Sequence, residues 1–92
     1  MTSPVLNPES LGSAKTSKTY TSFVADINLI TEKGETARRV RINTAGSGAL
    51  SVSYPNGDTD TITGLLAGDV LEVQATKILS SGTSVGSVTV MW

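Results

Sequence analysis

The chain has 92 residues and a formal net charge of −1, with seven basic residues against eight acidic ones. That is room for one small domain, and it gives no electrostatic case for general nucleic-acid binding, which needs Lys and Arg to neutralise phosphates. Cysteine and histidine are both absent, which excludes disulfides and thiolate metal sites and removes the commonest metal ligand and general base.

No apolar run approaches the ~20 residues a membrane-spanning helix needs. Residues 1–15, MTSPVLNPESLGSAK, lack the basic-then-apolar order of a secretory signal. Ser and Thr make up roughly a quarter of the chain, a composition suited to strands with hydroxyl-rich outer faces.

Residues 1–19 read as an extended arm. Pro4 and Pro8 interrupt a scatter of Ser and Thr, and only Val5, Leu6 and Leu11 are large and apolar. Such a segment is a solvated terminus, or orders through those three anchors on a partner's surface, or pairs as an edge strand of its own domain. Residues 20–31 predict a strand pair or one bent strand, with Phe23, Ala25, Ile27 and Leu29 on one face. Glu32-Lys33-Gly34-Glu35 is the most charged turn, with Gly34 free to adopt positive φ.

Residues 36–44 predict a strand with Val40, Ile42 and Thr44 on one side and Arg39, Arg41 and Asn43 on the other. A Gly-rich loop, residues 45–48, leads to a strand over residues 49–54, where Leu50, Val52 and Tyr54 alternate with Ser51 and Ser53. Pro55-Asn56-Gly57-Asp58 is the strongest hairpin signal, since Asn-Gly suits a type I′ turn, and residues 59–63 return as a short strand. Leu65-Leu66-Ala67 amounts at most to one helical turn.

The last third has the most regular patterning. Residues 70–79 predict one strand between Gly68 and Gly82. Residues 85–92 predict a second, with Val88, Val90 and Trp92 on one face and Ser87, Thr89 and Met91 on the other. A Ser-Ser-Gly-Thr turn joins the two. The chain is expected to finish on a sheet strand held by burial of the Trp92 indole. Together these elements predict an all-β domain over residues 20–92, a small antiparallel β-sandwich or barrel with no helix longer than about two turns, preceded by the extended N-terminal arm.

Candidate sites are few. Arg38, Arg39 and Arg41 form the basic cluster; on a strand, Arg39 and Arg41 share a face and suit an acidic patch on a protein partner. Asn56, Asp58 and Asp60 have the spacing of calcium oxygen donors without a closing glutamate, and read first as a hairpin turn. Ser17 beside Lys18 lacks the oriented base that nucleophilic catalysis needs. Tyr20, Phe23, Tyr54 and Trp92 are the entire aromatic complement. A row of them on a flat sheet would suit carbohydrate, but one small core consumes about that many, so Tyr54 and Trp92 are assigned to core or subunit interface.

The order of segments, the stretch TITGLLAGDVLEVQATKILSSGT and the ending Met91-Trp92 resemble small head proteins of tailed phages and gene-transfer agents, namely capsid decoration (cement) and head spike-base proteins. The resemblance covers roughly residues 26–92. It implies a structural virion protein rather than an enzyme, made in the host cytoplasm and bound to the outer surface of an icosahedral head. It implies no cofactor, no nucleic acid and no membrane. Its partners would be the major capsid protein and further copies of itself around a capsid symmetry axis, a trimer ahead of a pentamer. Val5, Leu6, Leu11, Arg38, Arg39 and Arg41 are then the partner-binding candidates. The competing class is a monomeric ligand- or carbohydrate-binding β-module.

Overall fold

Val88 and Val90 alternate with polar residues along β8 (Ser87–Met91) and sit directly opposite Ile42 and Val40 of β3 (Arg39–Thr44). All four are fully buried, and such β-branched cross-strand pairs are the unit from which a sheet gains stability. Leu50 and Val52 of β4 (Leu50–Ser53) and Ile78 of β7 (Lys77–Leu79) do the same for a second sheet, and both sets belong to one core. The computed structural model describes residues 15–92.

The result is a β-sandwich of two antiparallel four-stranded sheets. The first has the order β1 (Ser17–Tyr20), β8, β3, β6 (Val70–Leu71). The second has the order β2 (Ile27–Asn28), β7, β4, β5 (Thr59–Ile62). The one helix among the described residues, α1 (Leu29–Lys33), is five residues long. No helix there is long and apolar enough to cross a membrane.

Several expectations change. Residues 29–33 do not continue a strand, because Asn28 caps a helix: its side-chain oxygen accepts from the Ile30 and Thr31 N–H groups at 3.1 and 3.2 Å. Gly34, at φ 79°, ends it with an N–H bond to the Ile30 carbonyl. Residues 70–79 are not one strand. β6 pairs with β3 in the first sheet, and β7 pairs with β2 and β4 in the second. The segment between them crosses from one sheet to the other, with Ala75 fully buried at the crossing and its carbonyl taken by the Ala37 N–H. β7 and β8 therefore form no hairpin, since the turn between them carries the chain back across the sandwich.

Thr44 leaves the face of Val40 and Ile42 because a bulge shifts the β3 register between Ile42 and Thr44. The β4–β5 turn is also not type I′. Gly57 alone in it has positive φ, and its N–H reaches the Tyr54 carbonyl while the Tyr54 N–H reaches that of Asp58. This is a type I turn closed by a glycine bulge.

The start of the domain moves as well. Residues 17–19 belong to β1, whose register runs from Ser17 opposite Met91 to Tyr20 opposite Val88. For these residues the edge-strand reading holds. Val5, Leu6 and Leu11 lie outside the described residues. Two edges carry charges on their inward-facing positions: Lys18 on β1, opposite Val90, and Asp60 on β5, opposite Val52. Inward charges on edge strands oppose further strand addition.

Candidate functional site

Alternation along β1, β8 and β3 sends Tyr20, Val88, Val90, Val40 and Ile42 into the core. The opposite positions form an outer face, and no helix of the described residues covers it. The register sets two rows across that face: Ser17, Met91 and Arg39, then Thr19, Thr89, Arg41 and Val70.

The second row is tied together laterally. The Thr19 and Thr89 hydroxyls share a hydrogen bond at 2.9 Å. The Asn43 amide donates to Thr89 Oγ1 at 2.8 Å, and its oxygen accepts from Arg41 Nη1 at 3.0 Å. The chain Thr19–Thr89–Asn43–Arg41 holds an exposed guanidinium in a fixed orientation. Beside it Arg39 Nε is 3.9 Å from Glu72 Oε2, an exposed carboxylate. A pair at that distance and exposure contributes little.

At the end of the face Arg38, Arg39, Glu72 and Gln74 line an open hollow of about 210 Å³. That is smaller than the roughly 300–1,000 Å³ of enclosed small-molecule sites. Arg39 and Arg41 thus share one face, as the strand period requires. Arg38 precedes the strand, turns to the hollow, and bonds through its backbone N–H to the Met91 carbonyl.

The remaining candidates separate. Trp92 and Tyr20 are buried in the core, and Phe23 and Tyr54 pack against it, so the aromatics form no exposed row. Ser17 and Lys18 occupy successive strand positions and point to opposite faces. Lys18 Nζ donates to Glu32 Oε1 at 2.6 Å and lies 5.4 Å from the Tyr20 ring. Asn56 Nδ2 donates to Asp58 Oδ2, and the Asp58 N–H returns to Asn56 Oδ1, both at 3.0 Å. Among the described residues no three His, Cys, Asp or Glu side chains gather as a metal-binding group. The chain matches no protein-family model, no curated protein and no solved structure.

Several polar contacts bridge distant parts of the sequence and had no local signal. Among these are Thr19 with Thr89, Asn43 with Thr89, and Asp26, which accepts from both the N–H and the hydroxyl of Ser80 at 2.8 and 3.1 Å. The Ser80 N–H, then its hydroxyl, holds the Asp26 carboxyl below the ordinary range; the Lys18 and Lys15 hydrogen bonds do the same for Glu32 and Glu35. Depressed carboxylates add stability that is present at neutral pH and is lost as acid carries the solution down through their folded pKa values.

Tyr20 works in the other direction. Its hydroxyl is buried with no hydrogen-bond partner, and burial, followed by the nearby Glu32 charge, pushes its pKa from 10.0 up to about 12. A phenol that resists ionisation in the fold contributes stability below the unfolded pKa, and that contribution is lost as pH rises through the folded value. Chemical-denaturation midpoints should therefore fall between about pH 10 and about pH 12. Tyr20→Phe should remove part of that fall while leaving neutral-pH stability equal or higher, since it deletes an unsatisfied buried oxygen. An unchanged alkaline limb in Tyr20→Phe would assign the loss to other groups.

Proposed function

We propose that this is a structural virion protein, a capsid decoration (cement) or head spike-base protein that binds the outside of an icosahedral phage head and ties capsid subunits together. The observation that carries the reading is the outer face of the first sheet, which no helix of the described residues covers and where Thr19, Thr89, Asn43 and Arg41 are tied by their own hydrogen bonds. A broad, pre-ordered polar surface loses little side-chain freedom when another protein covers it. It gives a small ligand no enclosure. The resemblance over residues 26–92 to small phage head proteins supports the same reading, with the major capsid protein as partner. Residues 1–14, with Val5, Leu6 and Leu11 as anchors, would add a second attachment to a neighbouring subunit.

The test is co-sedimentation of the purified protein with expanded heads that lack it, beside a glycan array. Saturable binding to heads at a fixed copy number, with no glycan signal, is the expected result. Glycan binding without head binding would replace the proposal with the ligand-binding module.

A further inference from the structure

Acidic side chains in this domain fall into two groups. Glu32 and Glu35 are paired with Lys18 and Lys15, Glu72 faces Arg39, and Asp26 and Asp69 accept backbone N–H groups from Ser80 and Leu66. Among the described residues, Asp58 and Asp60 alone have neither a cation nor a backbone donor on their carboxylates. Asp58 takes only the Asn56 amide. Both are exposed, on the β4–β5 hairpin and the β5 edge of the second sheet. Arg41 is their counterpart. It is exposed on the first sheet, held by Asn43, and makes no ion pair among the described residues.

These unmatched charges lie on different sheets, so one copy does not pair them. Two copies do. Asp58 and Asp60 are two residues apart along an extended segment, as are Arg39 and Arg41. At about 3.3 Å per residue each pair is spaced by about 7 Å. We propose that the outer face of the first sheet binds the β4–β5 hairpin of a second copy, with Arg39 and Arg41 of one copy opposite Asp58 and Asp60 of the next. The exposed Val70, beside Arg41 in the same row, supplies apolar area to the contact.

The two surfaces differ, so the contact is head-to-tail. Each copy offers one of each, and such an interface closes into a ring when its rotation permits. The proposal deepens the assembly reading above by naming the partner of the open face, and rests on that reading for the ring's place on the head.

Analytical ultracentrifugation without heads tests it. The wild-type chain should sediment as one closed oligomer of three or more copies. Arg39→Glu with Arg41→Glu, and separately Asp58→Lys with Asp60→Lys, should each weaken association at least tenfold. The chain carrying all four substitutions should regain it, because every contact is then reversed together. Circular dichroism and melting curves confirm folding, and Arg41→Gln and Asp60→Asn serve if a reversal disturbs it. A monomeric or dimeric wild type, full association in either charge-reversed variant, or a four-fold variant that stays apart would overturn the proposal. Head binding is scored separately, so a monomer that decorates heads would remove the ring and keep the virion assignment, and a ring that ignores heads would do the opposite.

Discussion

Replacing Trp92 with alanine is expected to cost about 3–5 kcal/mol, the range for deleting a buried large aromatic. The side chain is fully buried, and its Nε1 donates to the Leu29 carbonyl at 3.2 Å, joining β8's end to the first residue of α1. The Lys33 ammonium lies 5.8 Å from the ring centre on the same helix. Truncation would leave both a void and a buried carbonyl without its donor. For a domain of this length total stability is on the order of 5–10 kcal/mol, so the variant should lose a large share of it and melt well below the wild type.

Trp92→Phe separates the two terms. It keeps most of the apolar volume and removes only the donor, so it should lose about 1–3 kcal/mol, the cost of an unsatisfied buried group. Urea melts followed by circular dichroism give both values. An alanine variant with the wild-type midpoint would show that the indole is peripheral to stability.

Two truncations should differ sharply. Deleting residues 1–14 leaves β1 and its ladder with β8 in place, so the sandwich should stay folded. On the virion reading, head binding should fall, since Val5, Leu6 and Leu11 go with the deletion. Deleting residues 1–19 should destabilise the fold itself. It removes the ladder between β1 and β8, the bond from the Trp92 N–H to the Thr16 carbonyl, the bond from the Lys15 N–H to the Trp92 carbonyl, and the Lys18–Glu32 contact. At about 0.5–1.5 kcal/mol for each backbone bond, the loss is on the order of 2–4 kcal/mol. Equal melting temperatures in the two truncations would mean that β1 adds nothing to the sandwich. Undiminished head binding by the shorter truncation would move attachment onto the β-domain, with Arg38, Arg39 and Arg41 next to be tested.

What the sequence made legible was local. The period of two in Val88, Val90 and Trp92, the alternation of Leu50 and Val52 with serines, and the shared face of Arg39 and Arg41 depend only on strand geometry, and the structure has them. Partners across long separations were not legible. Residues 70–79 are mostly β-branched or aliphatic, and nothing in them says that Leu71 belongs opposite Val40 while Ile78 belongs opposite Val52. β1 was hidden for a related reason. Its inner face offers Lys18 and Tyr20 rather than two aliphatics, because Lys18 reaches out to Glu32 at the sheet edge. The helix did carry a signal, an Asn cap at position 28 and a glycine at 34, but the hydrophobic alternation leading into it suggested more strand. The open face became visible only with the register, since Thr19 and Thr89 are 70 residues apart.

The place of β8 has a consequence for how the protein is made. It lies between β1 and β3, so the first sheet has the strand latest in chain order near its middle. A chain growing from the ribosome has no partner for β1 until residues 87–91 have emerged, and β3 lacks its longer neighbour until then. β1 waits while the strands from β2 to β7 are made. Closure of the first sheet is therefore expected late, and chains dominated by such long-range pairings close slowly, in about milliseconds to seconds. During that wait β1 and β3 lack the strand that lies between them, and a chain stopped before residue 87 could not complete its first sheet.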